Sequence, residues 1–340
     1  MTPTRTAEQQ ALGETVRAVL RRSPGEHGWS PLCEQVGVAA LAIPESFGGL
    51  GAGLTELQVV AEELGRELVP CPFLGSTVLA TQALLESGDE AACARLLPGL
   101  AEGRVAALAW ADEHGRWSPD HGCGSAAADS ALEGRAEYVL DADLAEVLLV
   151  VAEVAGELGL FEVDPERVEV RRSESMDPSR GFGSVELRGA RGRRLGGDFR
   201  PGLRRVRETA CAVLAAEQAG AAARALEITV EYTKQRQQFG RPIGGFQALK
   251  HRMADLHVLV ETAHSAARAV AEAGPDRGRL AAVAKVHCSE ALSTVTAEMI
   301  QLHGGIGITW EHPAHRYFKR AHGAAQLFGR PHEHLPDCYE

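Results

Sequence analysis

The stretch that decides the fold covers residues 236–256 and reads RQQFGRPIGGFQALKHRMADL. It begins with an arginine and two glutamines, and it turns through glycine or proline at positions 240, 242, 244 and 245. Apolar residues then recur at spacings of three and four, a rhythm that is typical of an amphipathic helix. The stretch therefore predicts a corner that joins two long helices and carries several hydrogen-bond donors.

The donors at this corner have two interpretations. Arg236 falls at the end of the first predicted helix, where a cation stabilises the helix dipole, so capping alone explains its presence. The alternative is anion binding, because Gln238, Gln247 and a turned glycine backbone lie close to the arginine in the sequence. Helix capping is the favoured explanation when the corner is taken alone.

A second glycine-rich segment favours anion binding. It reads IQLHGGIGITWEHPAHRYFKRA over residues 300–321, and its glycines at positions 304, 305 and 307 follow shortly after Gln301. Glycines lack Cβ, so a ligand can approach the main chain, where backbone N–H groups and Gln301 can hold a diphosphate. A helix C-cap needs one glycine, and this segment has three.

The chain as a whole divides into three parts by the spacing of its apolar residues. Helical spacing dominates residues 1–103, short β-branched runs such as EVLLVVAEV fill residues 104–200, and helical spacing returns over residues 201–340. We expect an N-terminal helical domain, a small β domain and a C-terminal antiparallel helical bundle. The glycine-rich AIPESFGGLGAG in the first part is interpreted as helix punctuation, since no strand plainly precedes it and the GxGxxG order is missing.

Composition excludes several classes of protein. The 340 residues carry a net charge of −11, which argues against nucleic acid or an anionic membrane as the main partner. The seven cysteines are scattered without CxxC spacing, so we expect free thiols and neither disulfides nor a metal site. No signal segment or membrane span is recognisable, and the predicted location is cytoplasmic.

The sequence resembles the acyl-CoA dehydrogenase family. The resemblance rests on YTKQRQQFGRPIGGFQALKHRMADL at 232–256, on the segment at 284–321 that contains EMIQLHGGIGITWEHPAHRYFKRA, and on GVAALAIPESFGGLGAG within 37–76. It covers essentially the whole chain. It implies an α+β multidomain fold whose middle domain is β-barrel-like, and the α,β-dehydrogenation of an acyl thioester.

The resemblance also implies FAD as the cofactor and an oligomer as its host. In such enzymes the two halves of the site usually come from different chains, and an arginine contacts the FAD pyrophosphate. Partners would be an acyl-CoA or acyl-carrier-protein thioester, an electron-transfer acceptor, and a second copy or homologous subunit. Carried over to matching positions, the FAD-binding residues are Arg236, Phe239, Gln247, Gln301, Gly304 and Gly305.

The catalytic carboxylate of the family is missing from both of its usual positions. The first position is Gly329 here, and the second is Ala210. Two nearby glutamates compete for the role: Glu208, which is off register, and Glu217, which shares the helix face of Ala210 but lies roughly 10 Å along the axis. A structural glutamate with a partner is the favoured interpretation of Glu217.

The β domain departs from the family as well. Ala111 and Asp112 stand where members commonly have Thr-Glu, Ala136 replaces a lysine, and the next strand ends at Leu140 instead of Thr or Ser. Backbone groups can still meet a flavin ring, but side-chain hydroxyls cannot.

Three hypotheses follow from these observations. The first is an FAD-dependent acyl-CoA dehydrogenase-like enzyme whose base is unusual or supplied by a partner chain, as in actinobacterial pairs of unlike subunits. The second is a non-catalytic FAD-binding or structural subunit of a heteromeric acyl-CoA dehydrogenase. The third is a flavoenzyme of the same fold that is repurposed in specialised metabolism.

Overall fold

The first third of the chain is helical. The structure is a computed structural model, and it describes residues 5–23, 28–127 and 130–339. A π-helical segment, Phe73–Ala80, is buried throughout and runs directly into the fourth α-helix. The α-helices of this part are α1 (Ala7–Arg22), α2 (Trp29–Val36), α3 (Leu54–Glu67), α4 (Thr81–Glu86) and α5 (Glu90–Ala101).

A barrel-like sheet follows. Its strands are β1 (Ala106–Ala109), β2 (Gly124–Ala126), β3 (Ala131–Leu140), β4 (Val147–Val154), β5 (Glu157–Val163), β6 (Glu169–Arg172), β7 (Phe182–Glu186) and β8 (Ala190–Leu195). The order is β1-β4-β5-β8-β3-β7-β6, and β2 pairs with both β3 and β4. Because β2 bridges these two strands, the path through β4, β5, β8, β3 and β2 closes on itself.

The inside of this ring is apolar. β4 and β5 pair antiparallel along their length, from Leu148 opposite Val163 to Val154 opposite Glu157. Their inward-facing side chains share one core with Leu132, Val185 and their neighbours. The alternation of strand residues between two faces produces this core, as the β-branched runs of the sequence predict.

The last part of the chain is a helical bundle. Its long helices are α6 (Arg200–Gln235), α7 (Gln247–Ala269), α8 (Arg277–His303) and α9 (Ala314–Gln326), and a short hairpin of β9 (Gln237–Gln238) and β10 (Arg241–Pro242) joins the first two. Leu226, Leu256, Leu292 and Met299 lie in one buried cluster between the helices. The fold class expected from the sequence is confirmed.

Contacts group the chain into two compact units. One unit, the bundle unit, contains residues 1–7, 58–68 and 211–340; the other, the sheet unit, contains residues 8–57 and 69–210. Helices give way to strands between Ala101 and Ala106, and strands give way to helix between Leu195 and Arg200. The domain limits drawn from the sequence, at 103 and 200, stay a prediction.

No helix among the described residues is both long enough and apolar enough to span a membrane. The described residues also contain no group of three or more His, Cys, Asp or Glu side chains placed to hold a metal ion. All seven cysteines carry thiols that are not joined in disulfides. Burial raises the pKa of the Cys123 and Cys288 thiols to about 12, so both stay protonated at neutral pH.

Two buried charges stabilise the bundle unit. The Lys285 side chain is fully buried, and its ammonium donates to the carbonyl oxygens of Ala324 (3.2 Å) and Ala325 (3.0 Å). These carbonyls belong to the last turn of α9, where helical i+4 partners are lacking, and the Ala324 carbonyl also accepts from the Leu327 N–H at 3.3 Å. Lys285 therefore acts as an internal cap that holds the end of α9 against α8.

A second buried group lies at the other side of the bundle unit. The Glu62 carboxylate accepts a hydrogen bond from Arg5 at 2.6 Å, and the His264 ring lies 3.4 Å away. Burial alone raises the pKa of the Glu62 carboxyl, but the neighbouring His264, Arg5 and Arg268 outweigh it, and the pKa lies below its ordinary value.

We expect Glu62→Gln to destabilise the protein near neutral pH and to lose that effect in acid. A carboxyl whose pKa is lower in the folded state stabilises it above the unfolded pKa of about 4.3, and this contribution disappears as the pH falls through the folded pKa. Urea unfolding at a series of pH values measures the difference from wild type. Glu290→Gln, at an exposed position of α8, is the control; parallel pH profiles for the two variants would contradict the assignment.

Candidate functional site

The corner between α6 and α7 is a strained hairpin. β9 pairs with β10 so that Gln238 lies opposite Arg241, and only Phe239 and Gly240 remain for the turn. Both have positive φ, 51° and 77°, as type I′ hairpin turns require. Asn-Gly is the usual pair there, and a bulky residue in this conformation is uncommon. An unfavourable residue kept in a turn points to a role in binding.

The hairpin presents Phe239 to the outside. The ring is 90% exposed, and one edge meets the Phe246 ring in a T-shaped arrangement with the centroids 6.1 Å apart. The Arg241 guanidinium lies 4.0 Å from the centroid of the same Phe246 ring, a cation–π contact. Phe246 thus anchors the hairpin at the start of α7 and leaves most of Phe239 free for a partner.

The donors of this corner are not used within the chain. The Arg236 backbone N–H donates to Tyr232 O and its carbonyl accepts from the Ile243 N–H, but its exposed guanidinium has no hydrogen-bond or ion-pair partner among the described residues. The exposed Gln247 side chain likewise has none among them. The guanidinium therefore makes no direct hydrogen bond to the last helical carbonyls, although its charge still lies at the favourable end of the helix dipole.

The second corner begins where α8 ends. Gly304 has φ 63° and closes the helix, with its N–H donating to the carbonyls of Ile300 and Gln301. Gly304 therefore supplies a backbone conformation, since its N–H is committed to the cap. Around Gly304 and Gly305 the space that a Cβ would occupy is open, and both residues are exposed. A ligand can approach the main chain at this point.

An aromatic stack joins the two corners within the bundle unit. The Tyr232 and His303 rings stack with centroids 4.3 Å apart, and the Tyr232 hydroxyl donates to the His303 carbonyl at 3.3 Å. The His312 ring also contacts His303, with the centroids 4.2 Å apart, and it lies 6.2 Å from the Tyr232 ring. His303 Nδ1 donates to Met299 O at 2.7 Å, and burial lowers the pKa of its imidazole. A neutral ring thus fixes the end of α8 beside the end of α6.

The loop after this corner is apolar and exposed. Ile308 and Trp310 are 73% and 79% exposed, and Ile306 is also exposed. Trp310 is supported from one side only, by the His315 ring and the Lys319 ammonium. Large apolar side chains that follow one another on a surface mark a contact surface. Trp310 was not identified from the sequence, although it belongs to an apolar run without helical spacing, which was a signal for it.

The sheet unit adds another exposed aromatic ring. Tyr138 lies where the pairing of β3 with β7 shifts register, and it has φ 53° and is 48% exposed. Its ring meets Phe182 edge to face at 6.1 Å. The neighbouring Ala136 and Leu140, singled out in the sequence, are buried. The bulge therefore turns Tyr138 outward, a residue that strand periodicity alone did not identify.

Asp112 is committed to its own turn. Its carboxylate accepts from the backbone N–H groups of His114 and Arg116, both at 2.9 Å, and from Arg116 Nε at 2.7 Å. Burial raises the pKa of this carboxyl, but the hydrogen bonds from Arg116 and His114 lower it by more. Asp112 is thus a charged turn residue and not a proton acceptor at neutral pH.

Comparison with known proteins identifies the family. Residues 6–104 match the acyl-CoA dehydrogenase N-terminal domain, and residues 209–330 match the C-terminal domain. The chain is 43% identical to the acyl-CoA dehydrogenase IpdE2 of Mycobacterium tuberculosis, over 96% of this chain and 95% of that protein. It belongs to the acyl-CoA dehydrogenase family. Members are oxidoreductases that act on CH–CH donors.

Two solved structures are similar over nearly the whole length. One is the ChsE4–ChsE5 complex of Mycobacterium tuberculosis, with a TM-score of 0.87 and 29% identity over 98% of this chain and 96% of the matched chain. The other is a variant of the Tcur3481–Tcur3483 steroid ACAD, with a TM-score of 0.87 and 31% identity over the same shares of the two chains. Both titles name two components.

Neither family position for the catalytic base has room for a carboxylate. Ala210 is fully buried in α6. Gly329 has φ 104°, and a Cβ built there would lie 3.0 Å from His334 Nε2 and 3.3 Å from Glu333 Oε2. His334 is itself buried and lies within hydrogen-bond distance of Phe328 O, at 3.0 Å. The turn that would carry the base in an acyl-CoA dehydrogenase is closed in this chain.

The two substitute glutamates are both engaged. Glu217 is buried and accepts from Arg320 Nη1 at 2.7 Å, and Arg320 is buried as well. Separating such a pair leaves an uncompensated charge in the interior, so both partners serve the core. This agrees with the structural interpretation of Glu217. Glu208 is half-buried and also has an interaction within the chain.

We expect Gly329→Glu to destabilise the protein without creating a dehydrogenase base. The new side chain must adopt a positive φ and displace the buried His334, which together cost about 1–3 kcal/mol. Thermal unfolding measures the loss, and flavin reduction by acyl-CoA tests the chemistry. Gly197→Ala, at an exposed glycine whose Cβ meets nothing, is the control. A fully stable Gly329→Glu variant that reduces flavin would contradict this account of the turn.

Proposed function

We propose that this chain is the flavin-binding subunit of an acyl-CoA dehydrogenase that performs the α,β-dehydrogenation of an acyl thioester. The observation that carries the proposal is the exposed Arg236 guanidinium, which has no partner among the described residues and lies at the base of a hairpin that keeps a strained phenylalanine at its tip. Family membership implies FAD, and the proposal assigns its pyrophosphate to this arginine.

The chemistry of the donors fits a flavin nucleotide. A guanidinium offers two parallel N–H groups to a phosphate, and amide side chains such as Gln247 and Gln301 add neutral donors. The open main chain at Gly304 and Gly305 admits the nucleotide without a clash. When bound, FAD supplies the hydride acceptor; the residues of this chain bind and orient it.

A second subunit completes the proposed site. Phe239, Ile308 and Trp310 leave much apolar surface in contact with water in the single chain. Burying such rings on association contributes about 25 cal/mol per Å² of apolar surface removed from water. We infer that the hairpin of one subunit and the loop after α8 of another meet around the cofactor, which keeps water away from it.

The missing base favours an unlike partner. At the two family positions the chain has a closed glycine turn and a buried alanine, and Glu217 is held by Arg320. We therefore propose a hetero-oligomer in which a homologous subunit supplies the carboxylate that removes the α-proton. The similarity to two proteins whose titles name two components supports this arrangement.

The substrate and the electron acceptor belong to the same proposal. One of the similar structures is titled a steroid ACAD, which supports a thioester whose acyl group is attached to a steroid. Ala215, Ala216 and Ala219 are buried in α6, and side chains this small favour room for an acyl group beside the helix. Electrons leave the reduced flavin to an electron-transfer protein, as resemblance to the family implies. The cytoplasmic location remains a prediction.

We expect Arg236→Ala to weaken FAD binding by about 10- to 100-fold. The pyrophosphate loses a charge-assisted bidentate contact, worth roughly 1.5–3 kcal/mol. Flavin fluorescence titration of the assembled protein measures the dissociation constant. Arg236→Lys keeps the charge and loses the fork, so it should fall between wild type and alanine. Arg316→Ala, at an exposed position of α9, is the control for loss of a cation; FAD affinity unchanged in Arg236→Ala overturns the assignment.

We expect the chain to acquire full flavin content and activity only with a homologous partner. Native mass spectrometry of the protein, purified alone and after co-expression with a homologous acyl-CoA dehydrogenase subunit, counts subunits and flavins. Anaerobic addition of a steroid acyl-CoA should bleach the flavin of the complex and not that of the lone chain. Bleaching by the homo-oligomer would show that the base lies in this chain and would refute the heteromeric arrangement.

A further inference from the structure

A basic pocket on the sheet unit has no part in the proposed flavin site. It encloses about 580 Å³ between α5, the start of β4, the end of β5 and β8. Four arginines and three acidic side chains line it. The pocket lies beside the first residues of β4, and β4 runs parallel to β1 from Val147 opposite Ala106. The pocket therefore lies at the start of β1, whereas Trp110 directly follows the other end of this strand.

Two of the arginines are fixed by acidic partners. Arg95 on α5 binds Glu162 with two parallel contacts, one of them 2.6 Å long between Nη1 and Oε1. Arg104 Nε donates to Glu146 at 3.1 Å. These two ion pairs form the sides of the pocket. Within each pair the carboxylate neutralises the charge of the guanidinium that it faces.

The other two arginines have no such partner. Arg191 and Arg193 are separated by one residue on β8, so both point to the same, outward face of the strand. Both are exposed, and neither has a hydrogen-bond or ion-pair partner for its side chain among the described residues. The remaining acidic lining residue, Asp164, is paired with Arg167 at 3.3 Å. Two positive charges are thus left over in a chain whose net charge is −11.

The pocket also has an apolar wall. Its floor consists of the buried Leu96 of α5, Val147 of β4 and Val163 at the end of β5, and the partly exposed Pro165 follows β5. A concave site of a few hundred Å³ with apolar walls and a few charged groups is typical of small-molecule binding. An acidic protein surface would be bound better by a flat patch of arginines than by a concave site. The concave shape of this pocket therefore favours a small organic anion as the ligand.

We propose that this pocket binds a nucleotide-type organic phosphate, with its phosphoryl groups on Arg191 and Arg193 and its apolar body against Pro165. Guanidinium groups recognise phosphate oxygens in pairs, and two of them on one strand face match a ligand with two phosphoryl groups. The ligand is either a free nucleoside diphosphate or the 3′-phosphoadenosine diphosphate end of a coenzyme A molecule.

Isothermal titration calorimetry of the full chain with ADP and with 3′,5′-ADP tests the proposal. The titrations use Arg236→Ala protein as well as wild type, because ADP also resembles half of the proposed flavin ligand. We expect one binding event that persists in Arg236→Ala and weakens at least about tenfold in Arg191→Gln/Arg193→Gln, since two charge-assisted contacts are lost. Tighter binding of 3′,5′-ADP than of ADP would identify coenzyme A as the source.

The controls separate this site from general charge effects. Arg171→Gln removes an exposed arginine elsewhere on the sheet unit and should leave the affinity unchanged. The Arg191→Lys/Arg193→Lys variant keeps both charges and should retain part of the affinity for the nucleotide. Absence of binding, or binding that is insensitive to both positions, overturns the proposal. Binding of a polyglutamate peptide but not of nucleotides, dependent on the same arginines, also overturns it and assigns the surface to an acidic protein. We expect none of these substitutions in the pocket to change the affinity for FAD.

Discussion

The proposed flavin site depends on the Arg236 guanidinium, which is exposed and has no counter-charge among the residues that the structure describes. A positive charge at a helix C-terminus is electrostatically favourable, so it costs the fold little to keep it unpaired. The hairpin that follows is less favourable locally, because Phe239 adopts a left-handed conformation. Phe246 and Arg241 compensate by anchoring the turn to α7.

The buried Glu217–Arg320 pair shows how tertiary contacts decide between two interpretations that the sequence leaves open. A glutamate on an apolar helix face indicates either a reactive group or a paired one, and the sequence alone leaves the choice open. Arg320, more than a hundred positions further along the chain, resolves it by contacting Glu217 directly. At Gly329 two features decide against a carboxylate side chain: the positive φ angle and the buried His334 ring that packs close to the turn.

Much of the fold was predictable because it follows from periodicity. The helices of the bundle and the change to a β-rich part near residue 104 have clear spacing in the sequence, whereas the barrel-like form of that part was implied by the family resemblance. The outward turn of Tyr138 was not predictable, since a register shift between β3 and β7 depends on pairing across distant residues. The stack of Tyr232 on His303 and the pocket with Arg191 depend equally on tertiary contacts, which spacing along one segment does not encode.

The closure of the barrel rests on β2, a strand of only three residues. If β2 detaches, β3 and β4 each expose a free edge with unpaired peptide groups, the kind of surface that templates aggregation. Slow amide exchange along β4 would then report the integrity of this short bridge better than global unfolding does. Storage conditions that preserve β2 are therefore the ones that keep the protein monodisperse.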